Sequence, residues 1–178
     1  MPDLHMDMID SAAGLTEGGA TQRLRQQRSK VVAATLGSWE ALFSPTVDGL
    51  TPAERLLVAL YGCYLTPAPE LALRYRERNW VEGIDAALVN LVERGERDDA
   101  QIAAIANPRL AALLRFTRVL VDSPRDGDRA EVAALTQVGL STPAVVALAQ
   151  LIGFVSYQTR LVAGLKALES LESLESTI

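Results

Sequence analysis

Residues 51–75 read TPAERLLVALYGCYLTPAPELALRY and contain the best-marked helix start in the chain. Thr51 can cap a helix, a proline follows at the first helical position, and Glu54 stands three residues after the cap, where its carboxylate can bond back to the backbone. The run that follows, 56–65, is apolar on nearly every side, which is typical of a central helix surrounded by others. The stretch therefore predicts a core helix over 52–65.

A second central helix is predicted near the end of the chain. Residues 139–155 read GLSTPAVVALAQLIGFV, so a threonine and a proline again precede a long apolar run, and we expect a helix over 143–170. Both helix starts contain TPA, 91 residues apart, shortly after a Gly-Leu pair, which suggests a duplicated helical unit. No segment shows the alternation of a half-buried strand, so the predicted fold class is all-α. Further helices are predicted at 21–36, 69–78, 80–94, 98–105, 108–121 and 128–138.

The length of 178 residues indicates one domain. Residues 1–20 are rich in acidic, small and glycine positions, and we interpret them as a flexible N-terminal arm. The single helical domain is expected to cover 21–170. The three-residue repeat LESLESLES near the end drifts around a helix of 3.6 residues per turn, so 171–178 are expected to form a fraying tail or to pack on a neighbouring subunit.

Composition excludes several classes of function. Acidic residues outnumber basic ones by 22 to 17, and the arginines are scattered, which argues against nucleic acid as a partner. No apolar run approaches the roughly 20 residues that span a bilayer, and the N-terminus lacks a signal-peptide pattern, so we expect no membrane partner and a cytoplasmic location. One cysteine and one histidine, Cys63 and His5, predict no disulfide within the chain, no metal site and no cofactor.

Two residues of the first core helix are candidates for catalysis. Glu54 is either a helix-capping residue or a general base at the head of a buried helix. Cys63 lies between Tyr61 and Tyr64 with no imidazole nearby in sequence, so it is either an inert buried thiol or a reactive one. A reactive Cys63 would form a sulfenic acid that needs a thiol from another molecule to resolve it.

The last long helix has a stripe of polar and small residues at steps of three or four, from Gln150 through Gly153, Tyr157 and Arg160 to Gly164. We expect these residues either to pair at a subunit contact or to line a pocket for a small organic molecule, because buried polar groups need partners. The candidate substrate-binding residues are Tyr61, Tyr64, Arg74, Tyr75, Gln150, Tyr157 and Arg160.

From about residue 49 to 165 the chain resembles the carboxymuconolactone decarboxylase and alkylhydroperoxidase D-like superfamily, in particular its uncharacterised peroxidase-related branch. One matching stretch is LTPAER, 50–55, running into LLVALYGCYL. The other is GLSTPAVVALAQLIGFVSYQTRLVAGL, 139–165, which is similar to a late helix of that branch with a Phe-x-x-Tyr/Asn-x-x-Arg-Leu pattern. Here that pattern falls on Phe154, Tyr157 and the pair Arg160-Leu161.

The resemblance implies an AhpD-like helical bundle that forms homo-oligomers, as dimers, trimers or hexamers. For peroxidase members it also implies a relay of a glutamate, a Cys-x-x-Cys pair and a histidine. Glu54 matches the glutamate, but the two cysteine positions fall on Thr66 and Pro69. The histidine position falls on Leu73 or, with one inserted residue, on Arg74.

These observations predict a peroxidase-related protein with a degenerate thiol centre that acts on a small organic molecule by proton transfer assisted by Glu54. Two alternatives stay open. One is a non-catalytic module that binds a small molecule, and the other is a structural subunit that assembles with a catalytically complete relative.

Overall fold

A computed structural model describes the backbone of residues 7–44 and 49–175, and the side chains at 80, 81 and 173–175 lie outside that description. The described chain is helical and contains no strand, which confirms the all-α prediction. It has ten α-helices and one 3-10 turn, Pro124–Asp126. The helices are α1 Met8–Ala13, α2 Ala20–Gln26, α3 Ser29–Phe43, α4 Pro52–Tyr64, α5 Pro69–Val81, α6 Ala86–Glu93, α7 Asp99–Ala103, α8 Pro108–Asp122, α9 Arg129–Gln137 and α10 Thr142–Glu175.

Side-chain caps explain where several helices begin. The Thr51 hydroxyl accepts the Glu54 N–H at 3.1 Å, and the Glu54 carboxylate accepts the Thr51 N–H at 2.8 Å, which completes the predicted capping box of α4. Asn107 caps α8 by accepting two backbone N–H groups, ahead of a proline at the first helical position. Each cap satisfies donors that the first turn of a helix leaves without a partner. The starts of α4 and α8 therefore follow from local sequence.

The two predicted core helices, α4 and α10, pack against each other at the centre of the fold. Every residue of α4 from Arg55 to Cys63 is buried, and α5, α6 and α8 cover its other sides. A Cβ on Gly62 would lie only 3.2 Å from Cγ1 of Val155 in α10. The glycine thus lets the two helices approach closely, as small residues at helix crossings do.

One helix in the described part of the chain, residues 142–172 of α10, is long and apolar enough to cross a membrane, with a mean hydropathy of 1.4. Half of the most apolar 18-residue stretch of this helix is buried against the rest of the fold. A central helix of a soluble protein meets the same criterion, so length and composition alone do not make α10 a membrane span.

The structure corrects the expected flexible arm over 1–20. Within it, α1 is an ordered helix whose Ile9, Ala12 and Ala13 are buried against α10 and α5. Arg25 of α2 is buried and holds this helix through two ion pairs of 2.6 Å, with Asp7 and Asp10. Residues 1–6 lie outside the described chain. The prediction is wrong for α1 because six residues are too few to show a helical period.

Three helix boundaries also differ from the predictions. The helix expected over 21–36 is two helices, α2 and α3, with a break at Gln27 and Arg28. The helix expected over 80–94 is divided between α5 and α6, and Gly83 in the connection has a φ of +69°, which favours glycine. The tail expected from 171 is helical as far as 175, and 176–178 lie outside the described chain.

We predict that Ile9→Ala lowers the free energy of unfolding by about 2–3 kcal/mol, because it opens a cavity at a side chain that is only 1% exposed. The matched control is Leu24→Ala in α2, where the side chain is 55% exposed and a change within about 0.5 kcal/mol is expected. Urea unfolding followed by circular dichroism measures both. Equal stabilities of Ile9→Ala and wild type would show that α1 does not belong to the core.

Candidate functional site

Glu54, the proposed base, is held at the head of α4 by an arginine from another helix. Arg109, in the first turn of α8, donates from Nε to Glu54 Oε1 at 2.6 Å and from Nη2 to Oε2 at 3.4 Å. Its guanidinium also donates to the carbonyls of Gly49 and Val138. Arg109 thereby connects the start of α4, the preceding loop and the end of α9.

The electrostatics of Glu54 favour a charged carboxylate. Partial burial raises the pKa of Glu54, but hydrogen bonds from Arg109 and Thr51 outweigh this effect and leave the pKa below its usual value of 4.5. Both carboxylate oxygens already accept hydrogen bonds. A general base works best with a pKa near the working pH, and the lowered pKa of Glu54 together with its three hydrogen bonds makes it a weak base in this arrangement.

Cys63 is enclosed in the core near the end of α4, where it is 1% exposed and reduced. Burial raises the pKa of the thiol well above its usual range, because a thiolate would be poorly solvated there. Cys63 also lies nine residues after Glu54 on the same helix, which separates their backbones by about 13 Å. The two catalytic candidates therefore do not share a site.

The tyrosines beside Cys63 diverge from one another. Tyr61 points into the fold and donates its hydroxyl hydrogen to the carbonyl of Glu96, and burial raises its pKa to about 12. It borders a cavity of about 60 Å³, far smaller than the roughly 300 Å³ of the smallest usual ligand pockets. Tyr64 points outward and is 40% exposed, and burial and the nearby Glu93 raise its pKa.

The two candidates on α5 also separate. Tyr75 is fully buried, contacts Trp39 and Phe43 with its ring, and donates its hydroxyl hydrogen to Gln158 Oε1 at 2.5 Å. Burial raises its pKa well above the usual value. Arg74 instead forms a surface ion pair of 3.1 Å with Glu77, one turn along the helix. Tyr75 lies near Cys63 in the core, and that thiol adds to the rise in its pKa, whereas Arg74 is at the surface.

The polar stripe of α10 lies on the surface of the single chain, so its predicted role at a subunit contact or in a pocket stays a prediction. Gln150, Gly153, Tyr157, Arg160 and Gly164 are all exposed. The Tyr157 hydroxyl lies 3.1 Å from that of Thr35 in α3, and Arg160 donates to a backbone carbonyl of its own helix at 3.0 Å. The stripe is a polar line on an open helix face.

Beside the stripe, α2, α3 and α10 enclose an open groove of about 360 Å³. Leucines and valines from all three helices line it, and the Tyr157–Thr35 hydroxyl pair stands on its wall. Helix α3 has no buried residue over its whole length, although most of its residues are apolar. Among the described residues, no group of three or more His, Cys, Asp or Glu side chains could hold a metal ion.

Two polar residues that organise the site region were not predicted from the sequence. Arg109 falls on the polar side of an amphipathic helix, and nothing local in the sequence indicates that this helix begins beside Glu54. For Gln158 the sequence does contain a signal. This polar residue falls on the same helical face as the core residues Val155 and Val162, which indicates a buried polar contact.

Comparisons of the chain with models of known protein families, with curated proteins and with solved structures found no match. The alkylhydroperoxidase D-like resemblance therefore stays a prediction.

We predict that Glu54→Gln lowers the free energy of unfolding by about 1–2 kcal/mol at about pH 7, because it removes the charge from a half-buried hydrogen-bonded pair. The folded-state pKa of Glu54 is lowered, so its stabilisation is complete above the unfolded pKa of about 4.5 and is lost as the pH falls through the folded pKa. The gap between wild type and variant should therefore narrow as the pH falls below about 4.5.

The measurement is urea unfolding of both proteins across this pH range. Glu77→Gln is the matched control, since Glu77 is in a more exposed ion pair, and its effect should stay within about 0.5 kcal/mol. A Glu54→Gln deficit that persists undiminished at low pH would mean that the carboxylate charge does not stabilise the fold.

Proposed function

We propose that this chain is a non-catalytic, all-helical assembly subunit, related to the alkylhydroperoxidase D-like proteins and carrying a degenerate thiol centre. The contrast between two regions supports the proposal. The candidate groups of α4 and α5 are engaged in structural contacts, whereas the face formed by α3 and α10 presents apolar side chains that the described chain leaves uncovered.

The thiol centre argues against turnover of peroxides. Reduction of a hydroperoxide by a thiol needs a thiolate to attack the O–O bond and a second thiol to resolve the sulfenic acid. Cys63 is protonated at neutral pH, and Thr66 and Pro69 stand where the resemblance places the cysteine pair. The Thr66 hydroxyl instead donates to the Gly62 carbonyl at 3.1 Å, a structural use at the end of α4.

A proton transfer assisted by Glu54 has less support. Its carboxylate is occupied by Thr51 and Arg109, so a substrate would have to displace an ion pair that also connects three parts of the fold. The same glutamate at the head of α4 is fully explained by helix capping.

A second candidate function is the binding of a small apolar molecule in the groove beside Tyr157. Its volume of about 360 Å³ falls within the usual range for ligand pockets. The lining is mostly apolar, and polar groups come from the pair of hydroxyls 3.1 Å apart and from Thr21, Arg25 and Arg28. The groove is open rather than enclosed, which favours a macromolecular partner over a small ligand.

The proposal predicts a protein that is oligomeric and inactive as a thiol peroxidase. Sedimentation equilibrium should give a mass above the 19.2 kDa of one chain. With an organic hydroperoxide and a dithiol reductant, wild type and Cys63→Ser should consume the hydroperoxide at the same rate as buffer, because the thiol is buried and protonated.

Glu54→Gln serves as the second variant in the assay. Saturable turnover that is lost in Cys63→Ser would contradict a degenerate thiol centre, and turnover lost only in Glu54→Gln would support the proton-transfer alternative. A chain that is monomeric at all concentrations would contradict assembly.

A further inference from the structure

Helix α10 carries a seam of positions at the surface of the subunit, three of which, Tyr157, Leu161 and Leu168, border the groove shared with α2 and α3. Its members recur at steps of three or four residues, are exposed except for the half-buried Leu161, and extend along nearly the whole helix. The seam consists of Pro143, Val146, Gln150, Gly153, Tyr157, Leu161, Gly164, Leu168 and Leu171.

The seam is unusually poor in charge for a helix face in water. Val146 is 51% exposed and Leu171 58% exposed, whereas a solvent-facing helix side normally carries charged residues. Among the exposed residues from Thr142 to Leu171, Arg160 is the only charged one. Helix α3, which flanks the seam through the Thr35–Tyr157 contact, is equally apolar and has no buried residue. This surface has the composition of an interface.

The spacing of the seam is symmetric about Tyr157. Reading outward in either direction, the steps are four, three, four and three residues. Two copies of α10 placed antiparallel, with a two-fold axis at Tyr157, therefore bring each seam residue opposite another seam residue. The resulting pairs are Pro143 with Leu171, Val146 with Leu168, Gln150 with Gly164, Gly153 with Leu161, and Tyr157 with itself.

The side chains in this register are complementary in size. Gly153 faces Leu161 and Gly164 faces Gln150, so each glycine receives a larger side chain, and a Cβ at either glycine would meet no atom of its own subunit within 4 Å. Val146 faces Leu168, which joins two apolar side chains. Open space above a glycine is the kind of hole into which a side chain of a facing helix inserts.

We propose that a second copy of this chain covers the seam, and that the two α10 helices pack antiparallel about a two-fold axis at Tyr157. The inference rests on the proposed function, because it assigns the partner and the register of the assembly surface. A self-complementary patch of this kind is what a two-fold dimer requires.

Size and charge are compatible with a stable pair. The seam is about 42 Å long at a rise of about 1.5 Å per residue and about 10 Å wide, a footprint of roughly 400 Å² on each copy. The flank of α3 extends it towards the roughly 800 Å² per partner of specific interfaces. The two Arg160 residues lie about 9 Å apart along the axis, so their repulsion is largely screened at physiological salt.

Disulfide trapping tests the register in a Cys63→Ala background. Tyr157→Cys should give a covalent dimer under mild oxidation, because the two copies of position 157 face each other within reach of a disulfide. Gln150→Cys alone should not, since its two copies lie about 21 Å apart along the axis. Gln150→Cys combined with Gly164→Cys should restore crosslinking.

A charge introduced at the seam tests the interface without disturbing the subunit. Gly153→Lys should raise the dimer dissociation constant at least ten-fold in sedimentation. The lysine side chain would fill the space that Leu161 of the other copy occupies in the dimer. The subunit should keep its helical circular dichroism, since position 153 is open within one copy. Ala133→Lys, at an exposed site on α9, is the matched control and should leave the dimer intact.

The following outcomes would contradict the antiparallel register of the two α10 helices. A dimer that crosslinks through Gln150→Cys alone, or not through Tyr157→Cys, refutes the antiparallel pairing but leaves an assembly subunit. A wild-type chain that is monomeric at all concentrations refutes both proposals. A monomer that floats with phosphatidylcholine vesicles would mean that a bilayer, and not a second copy, covers the seam.

Discussion

The apolar surface of α10 is the constraint on which the rest of the structure depends, because a helix that carries apolar side chains on most of its sides has to be covered there. The subunit covers one side. Leu148, Leu151 and Val155 are buried, and Gly62 lets α4 approach closely enough for its own apolar face to pack there. The small helix α1 covers a further part of α10 and is held in place by the Arg25 ion pairs. The other side carries Val146, Tyr157 and Leu168, and a second subunit provides the cover in our account.

This arrangement also gives the candidate groups of α4 surroundings that disfavour catalysis. A core helix such as α4 places its residues in a dry environment, where a thiol and a phenol keep their protons. Cys63 is therefore a packing residue. Glu54 escapes this environment only because it stands at the head of the helix, and there the cap and Arg109 occupy it. Burial disfavours a negative charge on Cys63 near the end of α4, whereas the ion pair with Arg109 stabilises the negative charge on Glu54 at its start.

Much of the fold could be predicted from the sequence where the signal is local. The Thr51 cap and the long apolar runs identified α4 and α10, and the lack of alternation identified the all-α class. The predictions failed where tertiary contacts decide. Helix α1 is six residues long and is stabilised by Arg25, which comes from another helix. The periodicity of the stripe from Gln150 to Gly164 places these residues on one helix face, but periodicity alone cannot tell whether such a face meets another subunit or a ligand. Arg109 could not be paired with Glu54, since residues 55 positions apart meet only in the folded chain.

The central claim is that the seam of α10 is covered by another copy and that part of the stability of the fold comes from that contact. The most direct measurement is the urea midpoint of wild-type protein at concentrations from about 1 to about 100 µM. Our account predicts a midpoint that rises with concentration, as expected when the free energy of unfolding increases by about 1.4 kcal/mol of dimer for each ten-fold step. A midpoint that is the same at every concentration would show that one subunit is stable by itself and would contradict the account.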